Sequence, residues 1–268
     1  MKRILLLAMT FVFIFVLAAC GSKDSGGDGK TLKVATDAAY APFEYTEGDK
    51  IVGFDIDVIN AVAEEAGYEL NIVNTGWDPL FLELDNKTSD VGISAISITD
   101  DRKVDYDFTL PYFLSINKIL VPEDSDIQSA DDLLDKVVAV QGGTTGHEAV
   151  EKLLGEKHKN IKSFENNNLA IMELESGGAE AVVADNGVIE WYVKNNPDKK
   201  LKVVGDKNTF DPEYYGMMFP KGTKDLKVDF DKALEKIIEN GTYEEIYSKW
   251  FVDKPDLETL KAQQESEK

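Results

Sequence analysis

Short runs of β-branched and small apolar residues, separated by amphipathic stretches, set the class of fold open to this chain of 268 residues. Leu32-Lys33-Val34-Ala35 is the first run. Tyr68 to Val73 alternates with period two, and Asp90 to Ser94 reads as a short buried strand. Val137 to Val140, Ile161 to Phe164 and Ala181 to Ala184 repeat the pattern. Between them apolar residues recur at helical spacing in Ile56 to Ala66, which ends at Gly67, in about His147 to Leu154, and in Leu169 to Ser176, stopped by Gly177-Gly178. Strand periods alternating with helical ones predict an α/β fold. Lys224 to Glu239 and Thr242 to Trp250 read as closing helices around Asn240-Gly241, and the polar tail from Glu258 onward is expected to fray.

Two extended apolar runs, Asn117 to Pro122 and Glu213 to Pro220, lie at the edges of α/β blocks and read as crossings between lobes. Two crossings insert a second lobe, residues 118–218, into a first lobe made of residues 31–117 and 219–268. The crossings near 117–122 and 213–220 then form a two-strand hinge. A cleft between hinged lobes is where small ligands usually bind.

Residues 1–19 read as a signal peptide: Lys2 and Arg3 precede an apolar stretch from Ile4 to Ala19, broken only by Thr10. The stretch closes on Leu17-Ala18-Ala19-Cys20, which resembles a bacterial lipobox and implies cleavage before Cys20 and a lipid such as palmitate on its thiol. Cys20 is the only cysteine of the chain and has no disulfide partner. Residues 20–30 then form a lipidated, flexible tether. Ser22 to Lys30 holds no apolar residue and spans roughly 17 Å as a coil. The chain is therefore expected at the cell membrane, anchored on the extracytoplasmic face, on the outside of a Gram-positive cell or else on the periplasmic side. A formal charge of −21 speaks against nucleic acid and against an electrostatic grip on anionic lipid.

Candidate site residues stand at the ends of the expected strands and match the three demands of a free amino acid. For a carboxylate, Arg102 follows Ser94-Ala95-Ile96-Ser97-Ile98-Thr99, with Thr99 as a candidate N-cap. Arg102 either forms a bidentate pair with an anion or balances Asp100 and Asp101 at the surface. Gly142-Gly143-Thr144-Thr145-Gly146 joins a strand to a helix and offers amides and hydroxyls to an anion, without the Gly-Lys-Ser/Thr of a phosphate loop. For an ammonium, Asp185 ends an apolar strand, as a helix N-cap, as a ligand carboxylate, or as both. For a side chain, Asp37 and Tyr40 share one loop and Trp77 stands on another. The two rings either sandwich a planar or cationic group or are ordinary core.

The segments TDAAYAPFEY, VGFDIDVINAVAEEAG, GWDPLF, GISAISITDDRK, DYDFTLPYF, VQGGTTG, AVVADN and EYYGMMFPKG follow one another in an order similar to the family 3 extracellular solute-binding proteins, the amino-acid receptors of bacterial ABC importers. The resemblance covers essentially residues 31 to 255 and is nearest to the receptors for arginine, lysine and histidine. It implies a type II periplasmic-binding-protein fold that closes on its ligand like a hinge. Carried over by motif, Arg102 clamps the α-carboxylate with the backbone of Ser97 and Thr145, beside Thr144. Asp185 takes the α-ammonium, helped by the Ala95 carbonyl. Tyr40 and Trp77 flank the side chain, and Asp37, Ser94 and Gln141 face its tip. The family often has glycine where Ala95 stands and threonine at Ser97, changes that leave the backbone contacts in place. Gln141 stands where glutamine receptors carry a lysine, which suits a cationic ligand. The implied partners are a basic amino acid, arginine first and then lysine or histidine, with glutamine or another polar amino acid as the alternative ligand, and an ABC permease with its ATPase. The implied receptor is a monomer with no cofactor and no metal.

Other classes fit the residues less well. Gly92-Ile93-Ser94-Ala95-Ile96 lacks the second glycine of a nucleophile elbow. His147 and His158 are the only histidines and read as surface residues, and no paired His or Cys spacing suggests zinc. A carboxylate-driven lyase on the same fold would need an acid poised over its substrate, and none stands out. A stand-alone amino-acid sensor would use the same pocket. No enzymatic activity is expected.

Overall fold

Two large sheets and a small three-stranded one organise residues 30–268, the part of the chain that the computed structural model describes. The expected signal peptide, Cys20 and the tether up to residue 29 lie outside the described residues. In chain order the first block comprises β1 (Thr31–Thr36), β2 (Ala39–Tyr40), β3 (Glu44–Glu47), β4 (Lys50–Val52), α1 (Phe54–Ala66), β5 (Glu69–Asn74), α2 (Trp77–Asp85), β6 (Val91–Gly92), α3 (Asp100–Asp105) and β7 (Tyr106–Phe108). The second block runs through β8 (Phe113–Pro122), β9 (Val138–Gln141), α4 (Thr145–Leu154), β10 (Ile161–Phe164), α5 (Asn167–Glu175), β11 (Ala181–Asp185), α6 (Asn186–Asn195), β12 (Leu201–Val204) and β13 (Pro212–Tyr215). The chain then returns to the first block with β14 (Met218–Pro220), α7 (Lys224–Glu239), α8 (Thr242–Trp250) and α9 (Leu257–Ser266).

The first sheet has the order β5-β1-β6-β14-β7 and the second β10-β9-β11-β8-β12. In each, parallel strands form the half that leads into the cleft: β1 with β5 and β6, and β9 with β10 and β11. Parallel strands are covered on both faces, which explains why β9 and β11 are buried along their whole length. The two faces of the second sheet can be read from β8, where Ile119 and Val121 enter one core with Val138, Val140 and Val183, and Leu120 enters the other with Ala139 and Val182.

Local signals account for the element ends. Gly67 closes α1 at φ 80°, a left-handed conformation that glycine adopts without a Cβ penalty. Thr99 caps α3 by accepting from the Arg102 N–H, and Thr144 caps α4 by accepting from the His147 N–H. That second cap starts α4 at Thr145, two residues before the expected helix.

Three expectations are corrected. The strand expected over residues 90–94 is only Val91–Gly92, because the chain turns at Ala95 (φ 47°), whose N–H donates to the buried Asp55 carboxylate at 2.7 Å. Residues 117–122, expected at a crossing, lie inside the second sheet and pair with β11 and β12. The chain passes between the blocks at residues 113–116, just before the first expected crossing, and at Pro212–Tyr215, where the second was expected to begin, and the two stretches form an antiparallel ladder with each other. Aromatic rings pack this joint, with Phe43 4.9 Å from Phe113 and Phe113 5.3 Å from Tyr215. Finally, the tail from Glu258 is ordered as α9: Leu260 is buried in the core, and the buried Gln264 amide donates to the Pro111 carbonyl at 2.7 Å. Among the described residues no helix is long and apolar enough to cross a membrane.

Candidate functional site

One cavity is lined by Asp37, Tyr40, Trp77, Ser94, Ala95, Ser97, Arg102, Gln141, Thr144, Thr145 and Asp185. These are the residues singled out from the sequence, and the fold brings all of them to one place. The reason is topological. Asp37 directly follows β1, Ser94 to Ser97 follow β6, Gln141 ends β9 and Asp185 ends β11. Ligands in α/β proteins collect outside the carboxyl ends of parallel strands, and here two such ends face each other.

Asp37 is 6% exposed. Its N–H donates to Ser94 Oγ at 3.0 Å, and its Oδ2 accepts from Gln141 Nε2 at 3.0 Å. Burial pushes its carboxyl above the ordinary range, while the Gln141 hydrogen bond acts in the opposite direction. Ser94 Oγ gives its own proton to Glu44 Oε1 at 2.9 Å, so toward the cavity it is an acceptor only.

Asp185 sits at the N-cap position of α6 but makes no side-chain cap bond. Its oxygens instead accept from Tyr40 and, at 2.9 Å, from Ser115 Oγ, and Ser115 Oγ accepts from the Tyr215 hydroxyl at 2.9 Å. Burial raises its pKa, and the hydroxyl donors and Arg102 oppose the rise. Of the two roles open to Asp185 in the sequence, the side chain is thus free of the cap.

Arg102 projects from α3 across the Trp77 face, with its guanidinium carbon 5.4 Å from the ring centroid. Its Nη1 donates to the Ser97 carbonyl at 2.9 Å and its Nη2 to the Gly143 carbonyl at 3.2 Å. The Trp77 indole N–H also reaches the Gly143 carbonyl, at 3.3 Å. Trp77 therefore supports Arg102 as well as lining the cavity. Desolvation lowers the Arg102 pKa, and the carboxylates of Glu148, Glu213 and Asp185 counter it.

Several residues around the site were not singled out from the sequence. Glu213 accepts from Ser97 Oγ, Thr145 Oγ1 and Asn117 Nδ2. Glu44 and Asp55 lie fully buried behind Ser94 and Ala95, where Asp55 accepts from the Ala95 N–H and the Tyr112 hydroxyl. The available signal was an acid set between apolar residues, in Phe43-Glu44-Tyr45 and Phe54-Asp55-Ile56. Such an acid must be paired or protonated if its neighbours are core.

Comparison with known proteins places this arrangement in context. The model of the bacterial extracellular solute-binding proteins, family 3, matches residues 32–253. A protein of Neisseria gonorrhoeae described as a probable histidine-binding protein is 41% identical over 244 residues, covering 88% of this chain and 90% of its own. The arginine-binding extracellular protein ArtP of Bacillus subtilis is 35% identical over 255 residues, covering 94% and 98%. The crystal structure of the arginine-, lysine-, histidine-binding protein ArtJ from Geobacillus stearothermophilus superposes with a TM-score of 0.85 at 52% identity, covering 87% of this chain and 100% of that one.

Proposed function

The chain belongs to the bacterial extracellular solute-binding proteins, family 3, and on that premise we propose that it is the receptor of an amino-acid ABC importer and binds a basic L-amino acid, arginine foremost, without reacting with it. The observation that carries this reading is the charge of the cavity wall. Among its lining residues two are acids, Asp37 and Asp185, and one is a cation, Arg102. A basic amino acid has the complementary set: an ammonium and a side-chain cation against one carboxylate. A neutral amino acid would leave one buried acid without a cation, which is costly in a desolvated site. Among the described residues, Asp37 has no cationic side-chain partner, only the Gln141 amide.

In this reading Arg102 and the backbone N–H groups of Ser97 and Thr145 hold the α-carboxylate. Asp185 and the Ala95 carbonyl hold the α-ammonium. Tyr40 and Trp77 flank the side chain, and Asp37 pairs with its distal charge beside Ser94, Gln141 and Thr144. The open form takes ligand on the first block through Asp37, Tyr40, Trp77, Ser97 and Arg102. Rotation about β8 and β13 then brings Thr145 and Asp185 down and expels water. Ligand acts by shifting population toward the closed form, the one that docks on the permease and ATPase. The receptor works as a monomer, held at the extracytoplasmic face of the membrane by a lipid on Cys20 after removal of the signal peptide.

The test is a thermal-shift and calorimetry screen of the purified protein, refolded to strip bound ligand, against the twenty amino acids. Stabilisation by arginine, lysine or histidine alone supports the reading. A response confined to glutamine or another neutral residue keeps the receptor but overturns the cation pocket. Silence across the panel, or turnover of a bound compound, overturns the receptor itself.

A further inference from the structure

Glu213 belongs to β13, one of the two passages between blocks, and its carboxylate does not line the cavity. Its Oε2 accepts from Ser97 Oγ at 2.6 Å and from Thr145 Oγ1 at 2.7 Å, and its Oε1 accepts from Asn117 Nδ2 at 2.6 Å. Ser97 stands on the first block, whereas Thr145 and Asn117 stand on the second. A single carboxylate thus ties the two blocks together through three short, charge-assisted hydrogen bonds.

The same bonds decide what Ser97 and Thr145 offer to the cavity. A hydroxyl has one proton to donate, and both protons are spent on Glu213. What remains are the two backbone N–H groups. The Thr145 N–H is at the first position of α4, where no intrahelical acceptor exists, and the Ser97 N–H has no acceptor among the described residues. Around the carboxylate, Arg102 supplies opposing charge and Asp185 supplies like charge.

We propose that Glu213 is a positioning residue that clasps the two blocks in the closed form and turns the Ser97 and Thr145 hydroxyls away so that their N–H groups face the bound carboxylate. The proposal rests on the receptor reading above and adds a residue outside the ligand-lining set. A clasp formed only on closure stabilises the closed complex, so its loss appears in ligand departure, not in ligand arrival. Because Glu213 does not touch the ligand side chain, its loss weakens all amino acids that bind by the same factor.

The decisive experiment measures arginine association and dissociation by stopped flow for the wild-type protein, Glu213→Gln and Thr145→Val. Gln keeps the shape, retains one acceptor and removes the charge. Glu213→Gln should raise the dissociation rate about tenfold or more while the association rate stays within about twofold. Thr145→Val, which removes one of the three donors, should raise it less, and the double variant should fall short of the product of the single effects. The ratio of arginine to lysine affinity should not change in any of them. An unchanged dissociation rate, a loss confined to association, or an altered arginine-to-lysine ratio overturns the clasp. A wild-type protein that binds no amino acid refutes the receptor reading instead. In that case the contact between the blocks cannot depend on an amino acid, and small-angle scattering of the protein as purified reads the clasp: Glu213→Gln should enlarge the radius of gyration, and an equal radius overturns it.

Discussion

The Gln141 side-chain amide donates to Asp37 Oδ2 at 3.0 Å, linking the last residue of β9 to the residue after β1 across the cleft. In the receptor reading this amide shares Asp37 with the distal charge of the ligand. Asp37 then discriminates between cationic and neutral side chains, because only a cation compensates its charge. Asp37→Asn keeps the volume and removes the charge. Arginine and lysine should each lose a charge-assisted bond of about 1.5–3 kcal/mol, roughly ten- to a hundredfold in affinity, whereas glutamine should change by less than about threefold. Calorimetry with the three ligands checks this. Equal losses for all three would remove Asp37 from side-chain recognition.

Gln141→Lys makes the reciprocal change from the other side of the cleft. A lysine there would place its ammonium against Asp37, where the ligand cation is proposed to sit. Arginine binding should weaken by about tenfold or more, since two cations would compete for one carboxylate, while a neutral polar ligand should be spared. Competition binding between arginine and glutamine reads the shift directly. A variant that keeps the wild-type preference would separate Gln141 from selectivity.

At the other end of the ligand, Arg102→Ala and Asp185→Asn each leave one ligand charge without its partner in a closed cleft. The expected cost is about 3–5 kcal/mol, or a hundred- to several-thousand-fold in affinity. Arg102 differs from a surface arginine in a way that can be checked without ligand. Its cation–π contact with Trp77 predicts a change in tryptophan fluorescence on Arg102→Ala. Normal arginine affinity in Arg102→Ala would show that the carboxylate is held elsewhere.

The sequence made the elements legible where one face of one element decides the pattern. α7 and α8 were bounded at Lys224–Glu239 and Thr242–Trp250 because their apolar residues repeat at helical spacing up to Asn240-Gly241. The cavity wall was legible because its residues stand at strand ends and belong to segments that resemble a known family. What lies behind that wall was hidden. Ser115 and Tyr215 support Asp185 only because β8 and β13, a hundred residues apart, pair in one register. Glu213 fell in a run read as a crossing, and no local period reveals that its carboxylate meets Ser97 and Thr145. The tail looked too polar to fold because α9 buries little more than Leu260 and Gln264, and its order comes from a tertiary contact with Pro111.

Behind Ser94 and Ala95 the carboxyls of Glu44 and Asp55 meet, and among the described residues no cationic side chain acts on either. Among the described residues Glu44 Oε2 and Asp55 Oδ1 have no other partner, and the chemistry of two buried acids in contact requires one shared proton. Burial is the main cause of the upward shift of both, with the Asp55 charge adding to it at Glu44. Asp55 is pushed up to about 6, and Glu44 is raised well above its ordinary value, so Glu44 keeps the proton and donates it to Asp55. Asp37 is the other acid that faces the pair, while Ser94, Tyr112 and the Ala95 N–H donate to it. An acid whose folded pKa exceeds its unfolded one binds protons more tightly when folded. Its contribution to stability is complete below the unfolded value and is lost as pH rises through the folded value, here from about 4 upward past 6. Glu44→Gln replaces the shared proton with a fixed N–H donor to Asp55 and keeps an acceptor for Ser94. The variant should therefore match the wild type near pH 4 and become progressively more stable than it between pH 5 and 8. Melting temperatures of the two proteins across that range test the point. A difference that does not vary with pH would mean that the pair does not hold its proton through the physiological range.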